Sequence, residues 1–182
     1  MNTKVICVSG KAGSGKDTFG EIIRLELADI GKKSIVVHYA DLVKFICAKY
    51  FDWNGEKDKY GRSLLQKVGT DIVRAKDEDF WVKFVATMLE FFDGEWDYVI
   101  IPDCRFPNEL TYLKKRGFNV LHVGIDRGEF ISALTEEQKS HPSETSMDSV
   151  KPDVTIANKG TLNDLMNDAA MFVKGVLHEN NE

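Results

Sequence analysis

Gly10-Lys11-Ala12-Gly13-Ser14-Gly15-Lys16 satisfies the spacing G-x-x-x-x-G-K. Anion binding is the chemistry of that spacing. Glycines allow consecutive backbone N–H groups to turn inward into a nest. A helix that starts at the last glycine adds unpaired N–H groups and the positive end of its dipole. Lys16 can then reach the β- and γ-phosphates of a nucleoside triphosphate and neutralise charge that moves during transfer. The residue after Lys16 is Asp17, where a magnesium-ligating Ser or Thr is usual, and Thr18 comes one place later. Either Asp17 meets the magnesium shell, directly or through water, or it is an acid suited to a helix start. Thr18 is expected to bond an α-phosphate oxygen. The ATP-binding candidates of this loop are therefore Lys11, Ala12, Gly13, Ser14, Gly15, Lys16, Asp17 and Thr18.

A second acid lies at the end of an apolar run, Tyr98-Val99-Ile100-Ile101-Pro102-Asp103. Its form is that of a strand whose carboxylate orders magnesium beside the phosphate loop; as a lone residue Asp103 would read equally as a cap or turn. Pro102 cannot donate a ladder bond, so the strand should end there. The chain has six arginines. Arg24 and Arg116 sit where a helix surface or a helix end explains them. Arg105 and Arg127 each follow a strand at its carboxyl end, and the planar fork of arginine suits bidentate phosphate binding. Both are candidates for stabilising a transferring phosphoryl group. Arg62 and Arg74 read either as solvated helix residues or as phosphate ligands.

These residues need a scaffold, and the hydrophobic pattern supplies one. Short apolar runs at Val5–Val8, Ser34–Tyr39, Tyr98–Ile101, Asn119–Ile125 and Asp153–Ala157 alternate with helical patterns at 15–30, 40–51, 62–75, 79–92, 108–116 and 161–177. Strands that alternate with helices imply a parallel sheet covered on both faces. The expected fold is α/β and three-layered: a five-stranded parallel sheet flanked by helices. Ligands in such sheets bind at the carboxyl ends of the strands, where Asp103, Arg105 and Arg127 fall. Residues 127–150 are polar, long and weakly periodic, as functional lids are. No repeat or linker divides the chain, which reads as one domain over 1–182.

The 182 residues carry a formal net charge of −5. That balance argues against a broad nucleic-acid-binding surface, which favours basic excess, but a few local cations can still hold a small anion. No run approaches a membrane span. Cys7, Cys47 and Cys104 are isolated from one another, without a Cys-x-x-Cys pair, and are expected to be buried reduced thiols. A reducing cytoplasm is the expected location. A homodimer is expected from base rates among homo-oligomers alone.

Beyond the loop, Arg62-Ser63-Leu64-Leu65-Gln66-Lys67-Val68-Gly69-Thr70-Asp71, Asp103-Cys104-Arg105-Phe106-Pro107-Asn108-Glu109 and His141-Pro142-Ser143-Glu144 together resemble the deoxynucleoside monophosphate kinases of bacteriophages. The resemblance runs from the first strand to the last helix. It implies a P-loop nucleotide kinase that transfers the γ-phosphate of ATP to a deoxynucleoside monophosphate with Mg2+. By that resemblance the helices over 41–92 bind the acceptor, lined by Asp41, Lys44, Arg62, Gln66, Thr70, Asp71, Arg74 and Arg105. Asp17 and Asp103 would serve the metal, and Lys16, Asp103, Arg105 and Arg127 the transfer. Asn158, Lys159 and Gly160 resemble the loop that cups adenine in related kinases, and the same letters fit a turn followed by Thr161 as a helix cap. His141 and Glu144 belong to the signature without a role that the residues themselves disclose. Two other readings share the loop: a different small-molecule kinase, such as one acting on dephospho-coenzyme A or phosphomevalonate, or an ATP-hydrolysing module without an acceptor.

Overall fold

The computed structural model describes residues 1–128, 130 and 133–178. Residues 129, 131 and 132 of the expected lid segment lie outside the described residues. Five strands are present among the described residues: β1 (Lys4–Ser9), β2 (Ser34–Val36), β3 (Tyr98–Ile101), β4 (Asn119–Asp126) and β5 (Val154–Ala157). They form one sheet in the order β2-β3-β1-β4-β5, with every pairing parallel. The expected α/β fold with a five-stranded parallel sheet is the observed one.

Alternation along the central strands explains the layers. Successive side chains of a strand point to opposite faces. In β1, Ile6 and Val8 pack with Phe19, Ile23 and Leu27 of α1 (Lys16–Asp29) and with Ala169, Phe172 and Val173 of α8 (Leu162–His178). Val5 and Cys7 face the other way, into a cluster with Val43 and Cys47 of α2 (Ala40–Tyr50), Val82 and Val85 of α4 (Phe80–Phe91), and Leu110 and Leu113 of α5 (Pro107–Lys115). Cys104 joins the second cluster, so all three thiols lie on one side of the sheet, buried and free. Each fully buried aliphatic or Phe side chain contributes about 1.5–3 kcal/mol relative to exposure, and both faces of the sheet are covered this way.

Three segments depart from the sequence expectation. First, β2 ends at Val36 rather than Tyr39. Val37 still donates to Ile100 O, but the next N–H groups, of Tyr39 and Ala40, donate to the Asp103 carboxylate at 3.0 and 2.9 Å. The chain therefore turns out of the sheet and straight into α2. Second, the helix expected over 62–75 begins earlier, as α3 (Lys59–Gln66), because Asp58 caps it through Gly61 N–H at 2.7 Å. It then widens into a π-helical segment, Lys67–Arg74, in which the carbonyl of Gly69 accepts the Trp81 indole N–H at 2.8 Å. Such widened turns are frequent at functional sites. Third, the expected lid contains α6 (Glu136–Ser140) and α7 (Pro142–Thr145). Thr135 and Gln138 cap the start of α6 reciprocally.

Candidate active site

Residues Gly10–Gly15 join β1 to α1 at the carboxyl edge of the sheet, and Lys16–Thr18 open the helix. Two glycines are demanded by space as well as by torsion. A Cβ on Gly10 (φ +147°) would lie 2.7 Å from Ile125 O, and one on Gly15 (φ +98°) 2.5 Å from Asn158 Nδ2. Asn158, just past β5, donates from Nδ2 to Ser14 O at 2.8 Å, so the last strand braces the loop. The first N–H groups of α1 have no intrahelical acceptor by geometry. Lys16 is buried at 6% exposure and donates from Nζ to Lys11 O at 2.8 Å. Burial lowers its pKa to about 8, helped by Arg105 and opposed by Glu144, Asp17 and Asp103. A buried ammonium in this state gains from any anion that enters the loop.

The two candidate metal acids sit in different surroundings. The Asp17 side chain is largely exposed and accepts from His38 Nε2 at 3.1 Å. That hydrogen bond holds its carboxyl below the ordinary value and raises His38 above its own. Asp103 uses one lone pair of each oxygen to start α2, and the cap reading and the metal reading are thus compatible, since a carboxylate has about four acceptor positions. No group of three or more His, Cys, Asp or Glu able to hold a metal occurs among the described residues. Asp17 and Asp103, two carboxylates near the loop, are a donor set that would fit magnesium, which keeps several waters and takes only one or two carboxylates plus substrate phosphates.

From Lys16 and Asp17 a cavity of about 270 Å³ extends past Asp103 and Arg105 to the helices over 41–92. Lys44, Arg62, Gln66, Thr70 and Arg74 line it, with Lys57, His38 and Tyr39. Among the described residues, Arg62 and Lys57 have no side-chain hydrogen bond or ion pair. Arg74 is committed: it pairs with buried Glu109, donates to Glu78 O at 2.6 Å and lies over the Phe106 ring at 3.8 Å. Lys44 pairs with Asp41 at 2.9 Å.

A family model for deoxynucleotide monophosphate kinase matches residues 25–169. The chain belongs to the deoxynucleotide monophosphate kinase family. The match starts after the phosphate loop, so loop and family are independent indications. Among curated proteins, the deoxynucleotide monophosphate kinase of Enterobacteria phage T4 is 32% identical over 115 residues, covering 62% of this chain and 45% of that protein. That of Escherichia phage RB69 is 29% identical over 106 residues, covering 57% and 41%. The matched stretch thus spans less than half of either relative. Among solved structures, a gluconokinase from Sinorhizobium meliloti has a TM-score of 0.56 at 15% identity, covering 99% of this chain and 97% of its own. An APS kinase of Mycobacterium tuberculosis has 0.55 at 11%, covering 96% and 99%. At such identities these two show likeness of fold.

Within this deoxynucleotide monophosphate kinase fold, the residues singled out by sequence fall into four groups. Lys16, Asp17, Asp103, Arg105, Lys44, Arg62, Gln66, Thr70 and Arg74 line one cavity. Arg127 is beside the loop, donating to Gly13 O at 2.6 Å. Lys159 pairs with Asp126 at 3.1 Å, and Gly160 leads into Thr161, which is capped reciprocally with Asp164. Asp41 and Asp71 are outside the cavity lining; Asp71 instead meets His141 Nε2 at 3.3 Å.

Sequence reasoning missed four participants. Lys57 stands in a polar loop without a pattern to mark it. His38 and Tyr39 end the second strand's run, where the carboxyl-edge rule points, three and two residues before Asp41. Glu109 was visible only as a motif letter. It is 2% exposed, accepts from the N–H groups of Arg105 and Phe106 at 2.7 and 3.1 Å, and holds the Arg74 fork. Burial raises its pKa, against the pull of Arg74.

Proposed function

We propose that the chain transfers the γ-phosphate of ATP to a deoxynucleoside monophosphate, giving the diphosphate and ADP. The observation that carries this reading is the single cavity that begins at the phosphate loop and ends among Arg62, Gln66 and Thr70, with Asp103 and Arg105 at its waist. ATP would lie along Lys11–Thr18, its adenine toward Asn158, Lys159 and Gly160. The acceptor would lie among the helices of 41–92, its phosphate met by Arg62 with Lys44 and Lys57 nearby.

An acceptor phosphate already carries a nucleophilic oxygen, so positioning and charge stabilisation are the protein's main tasks. Lys16 and Arg105 flank the line of transfer. Arg127 would add a third positive charge from the segment 127–150, acting as a lid that excludes water. Asp17 and Asp103 would hold Mg2+, in part through water, and the ion would supply positive charge against the donor phosphates. The enzyme would work in the cytoplasm, the host's if the chain is viral like its named relatives.

The test is ADP formation from ATP and magnesium against dAMP, dGMP, dCMP, dTMP and their ribose counterparts, with Lys16→Ala as control. Strong stimulation by a deoxynucleotide, lost in the control, is the expected result. ATP binding without stimulation by any monophosphate overturns it.

A further inference from the structure

One buried carboxylate at the waist of the cavity has no part in the scheme above. Glu144 lies in α7, and its side chain is 6% exposed. One oxygen accepts from Ala12 N–H of the phosphate loop at 2.9 Å. The other pairs with the Arg105 guanidinium, which also donates to Ser143 O at 2.9 Å. The Glu144 carbonyl accepts from Lys11 Nζ at 2.7 Å, and Lys11 reaches on to Asp148 at 2.5 Å. The same segment is tied to the acceptor helices: Gln138 donates to Lys59 O and Ser63 Oγ at 3.2 and 3.1 Å, and Gln66 donates to Gln138 O at 3.3 Å. Residues 135–148 therefore form a strap between the phosphate loop and the acceptor helices, and Glu144 is its central fastening.

We propose that Glu144 is a positioning residue for phosphoryl transfer, fixing the Arg105 guanidinium between donor and acceptor while anchoring the leading edge of the phosphate loop. Two features carry this. A single carboxylate bridges a loop N–H and a guanidinium, so the relative position of loop and arginine is set by one rigid group. Further, the N–H it occupies belongs to Ala12, ahead of the turn from Gly13 into α1, and the donors at the helix start stay open to phosphate. Nucleotide can then enter without displacing Glu144. An arginine on a flexible stem gains from such restraint, because misplacement by about 1 Å at a reacting centre costs roughly a hundredfold in rate.

The inference rests on the kinase reading, and a double-mutant cycle separates the two. Turnover and KM would be measured for wild type, Glu144→Gln, Glu144→Asp, Arg105→Ala and the Glu144→Gln/Arg105→Ala pair, with thermal melting of each. Glu144→Gln keeps the shape and loses the charge. The expected result is a kcat lowered about tenfold or more, a KM for ATP changed less than about threefold, and part of kcat restored by aspartate. In the pair, the Glu144 change should add nothing to the Arg105→Ala loss, since residues acting as a unit are not additive. Independent, multiplying losses overturn the proposal. So does an unchanged kcat with tighter ATP binding, which would make Glu144 a competitor for the phosphate site. Should Glu144→Gln fail to melt cooperatively, the cycle is run with Glu144→Asp under the same criteria. A wild type that no monophosphate stimulates overturns the kinase reading, and the proposal with it.

Discussion

The two ends of the cavity are built by opposite strategies. The donor end is nine consecutive residues, Gly10–Thr18, whose backbone makes the site; its neighbours Asn158 and Arg127 brace it through backbone oxygens of Ser14 and Gly13. The end proposed for the acceptor is a set of side chains from α2, α3, the π-helical segment and the turn after β3, held by an ion pair and hydrogen bonds between residues 29 to 72 positions apart. A backbone site tolerates change in the side chains around it. A side-chain site fails when any fixed partner is removed. On the proposed reading, local geometry would protect triphosphate binding, and long-range pairing would govern what is phosphorylated.

The largest expected effect is at the donor end. Lys16→Ala should lower monophosphate-dependent ADP formation by roughly 10²–10³-fold, as loss of a preorganised charge-stabilising group does, measured at saturating substrates. At the acceptor end the corresponding break is Glu109→Ala. It leaves Arg74 buried without its anion and strips a cap from α5, and should cost about 3–5 kcal/mol of folding stability, measured by urea unfolding. If Glu109→Ala melts like the wild type, the contrast between the two ends is wrong. Arg127→Ala should reduce kcat by about tenfold to a hundredfold with the protein fully folded; wild-type turnover at saturation would remove Arg127 from the mechanism.

A smaller effect separates the ends by pH. Lys16 has a pKa lowered to about 8 by burial, so in the free protein it holds its proton below pH 8 and loses it above. ATP affinity should be flat below that point and fall by up to about tenfold per pH unit above it. Binding at pH 8 should be accompanied by proton uptake, seen by calorimetry in buffers of different ionisation enthalpy. Binding without proton uptake would sink this account. The smallest effect is Thr135→Ala, which removes the cap of α6 and should cost about 1 kcal/mol, read as a lowered melting temperature.

The same contrast explains what was legible in the sequence. The five-stranded parallel sheet and the phosphate loop follow from short-range patterns: apolar runs, glycine spacing, a lysine at a helix start. The start of α6 was also written locally, in Thr135-Glu136-Glu137-Gln138, yet the low hydrophobic periodicity around it hid the signal. Other features have no local signature. That β2 stops at Val36 depends on Asp103, which is 67 residues away in sequence. That Arg74 is committed to Glu109 rather than open to a phosphate depends on a partner in α5, 35 residues further along the chain. Glu144 and Glu109 were letters of a motif, and only the fold discloses what they hold.

The placement of the cysteines has a consequence for watching this molecule move. Cys7, Cys47 and Cys104 all lie in the cluster covered by α2, α4 and α5, and none in the layer of α1 and α8. Burial raises the pKa of the Cys47 thiol, and Cys104, hydrogen-bonded to Cys7, is raised further, so attack by a thiol reagent requires that cluster to open first. Labelling kinetics on the unmodified chain would therefore time excursions of the side of the sheet covered by α2, α4 and α5, with the layer of α1 and α8 silent, and slower labelling with added nucleotide would show that ligand restraining it.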